Sequence, residues 1–179
     1  MGLDISSYRK LSKLDCVFDA DGEPIDPVTR EGVDYDLYAY LNPDFPGREG
    51  QIEGKTIYRA EESDGFRAGS YGFYNNWRED LAQLAGYPPI KVERYGQVSE
   101  RHDEAAWQVE SGPFLEMIVF SDCEGVIGAE TCAKLAKDFA EFDEKAKTFK
   151  GITNVFYEKY KEWQAAFEMG ADDGAVQFH

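Results

Sequence analysis

The chain has little histidine, little cysteine, a deficit of positive charge and no long apolar run. His102 and His179 are its only histidines. Cys16, Cys123 and Cys132 are odd in number, and no two of them form a C-x-x-C pair. A secreted disulfide framework is therefore not expected, a Cys/His zinc site would need almost every such residue from distant places, and a reducing cytoplasm fits better. No stretch approaches the length of a membrane span, and the start MGLDISSYRK lacks the apolar core of a signal peptide, so no membrane association is expected. Basic residues number 19 against 35 acidic ones, which leaves a net charge of −16. That charge disfavours direct binding to nucleic acid or anionic lipid. It is compatible with solubility, a basic protein partner, bound cations or mimicry of nucleic acid.

What the chain does have is aromatic mass. Of its 179 residues, 12 are Phe, 11 Tyr and 3 Trp, within a hydrophobic fraction of 42%. This is a globular composition with enough length for a real core. The rings serve either core packing or a pocket that stacks on a flat ligand.

The order of periods predicts one α+β domain spanning 1–179, a mainly antiparallel sheet with C-terminal helices packed on it. LDISSY, VDYDLYAYL and KTIYRA read as strands, the second by alternation of Val33, Tyr35, Leu37, Ala39 and Leu41. The segment NPDFPGREGQIEG must be a loop. In SYGFYNNWREDLAQLAGYPP the period changes: Tyr74, Trp77, Leu81 and Leu84 recur at helical spacing, Ser70 is a candidate N-cap, and Gly86 with Pro88 and Pro89 is a stop signal. SERHDEAAWQVE reads as a shorter helix and PFLEMIVF as the clearest interior strand. Two helices follow, 129–149 and 152–169, with Phe139 and Trp163 on their apolar faces. AVQFH returns as a terminal strand.

Three stretches are candidates for chemistry. DADGEPIDP fails the EF-hand pattern, because Gly22 falls at the fourth loop position and Arg30 stands where the closing Glu belongs. It reads as an acidic turn, inside a segment from Asp15 to Asp36 with eight acids and one base, Arg30. That leaves open a loose cation site or a contact for a basic partner. In FRAGSYGFYNNWR, Gly69 and Gly72 allow close approach to the backbone, Ser70 opens a helix whose free N–H groups attract anions, Arg67 offers a bidentate contact, and Tyr71 offers a ring to stack. The plain alternative is a capped turn with Arg67 paired to an acid. The stretch is neither a Walker A loop nor a dinucleotide fingerprint. In FSDCEGVIG, a strand-to-helix turn is the first reading, with Asp122 and Glu124 as the pair that would hold a metal or act as acid and base. Flanking negative charge raises the thiol pKa of Cys123 and argues against a nucleophile. If both blocks close a shared sheet end, Arg67, Gly69, Ser70, Tyr71, Asp122 and Glu124 form one ligand-binding surface. No cofactor and no firm metal site is expected.

The start MGLD, the block FRAGSYGFYNNWR, the block FSDCEGVIG with KLAKDF after it, and the final FH resemble a family of uncharacterised proteins of tailed-phage and prophage genomes. The resemblance implies a small accessory protein acting in a bacterial cytoplasm; it carries no catalytic residues with it. The function expected is non-enzymatic binding of a host factor or a small anionic, nucleotide-like ligand, for instance to blunt a defence system. The alternatives are a metal-dependent hydrolase or nucleotide-processing enzyme using Asp122 and Glu124, and an acidic mimic of nucleic acid.

Overall fold

The computed structural model describes residues 2–94, 96–120 and 124–179. The first strand, β1 (Gly2–Arg9), alternates inward Leu3, Ile5 and Ser7 with Asp4 and Ser6 on the other side. Short pieces follow: β2 (Ser12–Lys13), β3 (Val17–Phe18), β4 (Pro24–Ile25), β5 (Leu37–Tyr38) and β6 (Ile57–Arg59). Then come the long strand β7 (Glu62–Ser70) and the helix α1 (Tyr71–Ala85). Ser70 caps α1 by accepting the Phe73 amide, and Gly86 ends it in a left-handed conformation at φ 92°. The hairpin β8 (Ile90–Arg94) and β9 (Gln97–Arg101) leads to two single turns, α2 (Asp103–Ala106) and α3 (Leu115–Ile118). Strand β10 (Gly125–Gly128), helices α4 (Ala129–Thr148) and α5 (Phe156–Gly170), and strand β11 (Ala175–Phe178) complete the chain.

The fold is α+β, with an antiparallel four-stranded sheet in the order β10–β11–β1–β7. One face carries Leu3, Ile5, Ile127, Val176 and Phe178 against α1, α4 and α5. Trp163 is the hub of this core: it stacks on Trp77 at 5.9 Å and Tyr74 at 5.6 Å, and meets Phe66 edge-on at 5.0 Å. The other face is partly covered. Tyr8, Val126 and Ala175 pack with Leu37, Ala39, Ile52 and Tyr58 from the small sheet β2–β6–β5 and the loop that joins β5 to β6.

Four elements differ from the sequence expectation. PFLEMIVF is not a strand: after Phe114, at φ 55°, it makes the turn α3. Phe114, Leu115, Met117 and Ile118 are buried while Glu116 faces the half-exposed side, which is a helical spacing hidden inside a short apolar run. SERHDEAAWQVE splits into strand β9 and the turn α2. GVIG is not a turn but the buried strand β10, paired with β11. VDYDLYAYL keeps only Leu37–Tyr38 as strand.

Candidate functional site

The junction between β7 and α1 holds four of the expected site residues. Gly69 lies at φ +113°, and a Cβ there would fall 2.7 Å from the Phe73 ring. Its glycine is needed for the turn from bulged strand into helix. Ser70 Oγ accepts the Phe73 N–H at 3.2 Å. Tyr71 is half-buried against the main core. Arg67 is exposed, 3.8 Å from the Asp4 carboxylate, and its guanidinium lies along the backbone of Gly2. A Cβ at Gly72 would meet nothing within 4 Å.

Glu124 is exposed, and its carbonyl accepts Asn42 Nδ2 at 2.9 Å. Asp122 and Cys123 lie outside the described residues. Register shows how the two blocks relate. Gly125 pairs with Phe178, Phe178 with Ile5, and Ile5 with Phe66. Glu124 and Arg67 thus sit at the same end of the sheet but on its opposite edges. Three strand spacings separate those edges, about 14 Å between backbones. Arg67, Gly69, Ser70 and Tyr71 are brought together, and Glu124 stands apart from them.

The acidic segment proves to be an arm of short hairpins. Asp19 Oδ1 accepts the amides of Asp21 and Glu23, each at 2.9 Å, and closes the β3–β4 turn. Asp26 Oδ1 does the same for Thr29 at 2.7 Å and Val28 at 2.8 Å, which holds its carboxyl below the usual range. Asp36 accepts the Ala60 amide at 2.9 Å. Turn-making therefore accounts for Asp19 and Asp26, and Asp36 is taken by the Ala60 amide and by Arg59 at 3.8 Å; the other five of the eight carboxylates, Asp15, Asp21, Glu23, Glu31 and Asp34, have no ion pair among the described residues. Beside them stand rings. Phe18 and Tyr38 meet edge-on at 6.0 Å, yet remain 42% and 40% exposed. Tyr35 and Tyr40 are exposed as well, while Leu37 and Ala39 between them are buried. Alternation thus anchors the arm through Leu37 and Ala39 and turns Tyr38 and Tyr40 outward, while Tyr35, ahead of β5, is exposed against that alternation. The sequence showed both the acids and the alternation, but it placed Tyr35 inward and gave no sign that Phe18 joins Tyr38.

A second charged group was not anticipated. Arg78, Glu79 and Asp80 are consecutive on α1 and all buried. Glu79 accepts the amides of His102 at 2.9 Å and Asp103 at 3.0 Å. Burial pushes its pKa up, reinforced by the Asp103 carboxylate beside it. Asp103 is desolvated too, but the two-pronged Arg101 bond, at 2.6 and 2.9 Å, more than offsets this and lowers its pKa. Glu79, with Arg101 and Asp103, fastens α2 and the β8–β9 hairpin to α1. Among the described residues, no cluster of three or more His, Cys, Asp or Glu is placed to hold a metal ion. Cys132 is buried and its thiol pKa is raised by that burial, so it is not a nucleophile.

No family model, curated protein or solved structure matches the chain. No helix among the described residues is long and apolar enough to cross a membrane.

Proposed function

We propose that this chain is a non-enzymatic accessory protein that binds a basic protein of a bacterial host through the acidic arm. The observation that carries the reading is the exposed pair Phe18 and Tyr38, flanked by Tyr35, Tyr40 and five carboxylates that form no ion pair among the described residues. Exposed aromatic rings supply contact area at small entropic cost and are enriched where proteins dock. The surrounding charge selects a partner of opposite sign and speeds encounter. The bacterial setting follows from the resemblance to phage and prophage proteins. A protein is favoured over a small anion because the arm repels anions, while at the start of α1 Ser70 already accepts an amide and Arg67 already faces Asp4.

The test is capture from host-cell lysate on the immobilised chain, run beside the double variant Phe18→Ser/Tyr38→Ser. The parent should retain a basic protein, less of it as salt rises, and the folded double variant should release it. Retention that ignores both the variant and salt, or turnover of a retained small molecule, would contradict the proposal.

A further inference from the structure

The two edges of the main sheet are treated differently. The β10 edge is covered: Gly128 N–H donates to the Arg48 carbonyl at 2.8 Å, and a Cβ at Gly128 would collide with Glu49. The β7 edge has β1 on one side and, among the described residues, no strand on the other. Two of its backbone groups are met by side chains. Gly65 N–H donates to Asp64 Oδ1 at 2.8 Å, and the Arg67 carbonyl accepts Lys159 Nζ at 3.0 Å. A strand left in this condition is a template for another strand.

A groove of about 360 Å³ runs beside this edge, between β7 and α5. Phe66, Ala165 and Met169 form its apolar part, and Asp64, Glu158 and Glu162 its acidic rim. Glu162 is neutralised by Lys159 at 2.6 Å, and Lys161 is drawn away towards Asp143 on α4. Asp64 and Glu158 have no ion pair among the described residues. The bulge at Ala68 and the Lys159 contact blunt only the end of the edge near α1; along Glu62–Phe66 the edge has no strand partner among the described residues, and only the local Asp64 carboxylate holds the Gly65 N–H.

We infer that β7 accepts an extended segment of a partner protein that carries alternating apolar and basic side chains. Strand pairing would use the edge groups of β7. Since side chains alternate along a strand, every second one would enter the groove, where an apolar stem meets Phe66 and Met169 and a cationic head meets Asp64 and Glu158. This surface lies outside the acidic arm and does not rest on the function proposed for it.

The probe is a ten-residue peptide of alternating valine and lysine at about 1 mM, a concentration at which even a millimolar Kd registers. It is compared with its valine–glutamate counterpart by amide exchange and titration. Protection at the Gly65 amide is expected with the lysine peptide and not with the glutamate one. Ala165→Lys, on an exposed helical site of the groove, should weaken binding about tenfold or more, because it sets like charge against the peptide and fills the space. Ala140→Lys, the same change on an exposed site of α4, should leave it unaltered. Phe18→Ser/Tyr38→Ser should also leave it unaltered, which separates this surface from the arm. Absence of Gly65 protection, equal binding of the glutamate peptide, or equal loss in both alanine variants would overturn the inference.

Discussion

Asp80 on α1 accepts the Thr153 amide at 2.8 Å, across the connection between α4 and α5. The same carboxylate takes the Ile152 amide at 2.7 Å and the Thr153 hydroxyl at 2.5 Å. Gly151 is a glycine for this reason: a Cβ there would fall 2.1 Å from Asp80 Oδ1. Asp80→Ala leaves three donors without their acceptor and should cost about 3 kcal/mol or more, a fall in Tm of about 6–12 °C for a chain of this size. Gly151→Ala alone should cost about 1–3 kcal/mol. It should cost less in the Asp80→Ala background, where the colliding oxygen is gone. A thermal-melt double-mutant cycle that showed simple additivity would contradict the coupling.

Trp77, Phe139 and Trp163 are each no more than 1% exposed and belong to one ring-rich core. Truncation of any of them to Ala should cost about 3–5 kcal/mol. Urea unfolding checks this, and midpoints equal to the parent's for all three would show that the helix faces are wrongly assigned.

Glu79 gives a pH signature. Its pKa in the fold lies above the ordinary 4.5, chiefly through burial. The folded state therefore holds a proton more tightly than the unfolded one, and this contribution to stability is full below the unfolded pKa and fades as pH rises through the folded one. Glu79→Gln keeps an oxygen for the His102 and Asp103 amides but cannot ionise. The stability of the parent relative to this variant should fall as pH climbs above 4.5. A difference that stayed flat with pH would show that Glu79 does not titrate in this way.

The four-stranded sheet has core on both faces, helices on one and the β2–β6–β5 sheet on the other. We expect it to unfold as one unit. Limited proteolysis that released a stable fragment, cut between Arg59 and Ala129, would argue against this.

The legible parts of the sequence were those in which two signals agreed. For α1, the stripe of Tyr74, Trp77, Leu81 and Leu84 sits between the cap at Ser70 and the stop at Gly86, and the helix has these bounds. The pair α4 and α5 was clear for the same reason, and β1 and β11 were found as the strands flanking the chain. PFLEMIVF offered only a short apolar run, which fits a strand or a buried turn, and Glu116 at its centre was the one sign of helical spacing. Arg78, four residues after Tyr74, lies on the flank of the buried stripe; its guanidinium covers the Tyr74 ring at 5.3 Å. A reader who takes charge for exposure misses it, together with Glu79 and Asp80. Register between Gly125 and Phe66 is a property of the assembled sheet, so the spread of the two glycine-rich blocks over opposite edges could not be read from either block.

The central claim is that residues 15–40 form the docking surface for a basic protein. Amide exchange on the chain, alone and bound to the protein it captures, tests this most directly. The account predicts new protection in β3, β5 and the turns around Asp19 and Tyr35, lost again in Phe18→Ser/Tyr38→Ser, with exchange of the α4 and α5 amides unchanged. Protection confined to α4 and α5, with the arm exchanging as in the free chain, would contradict it.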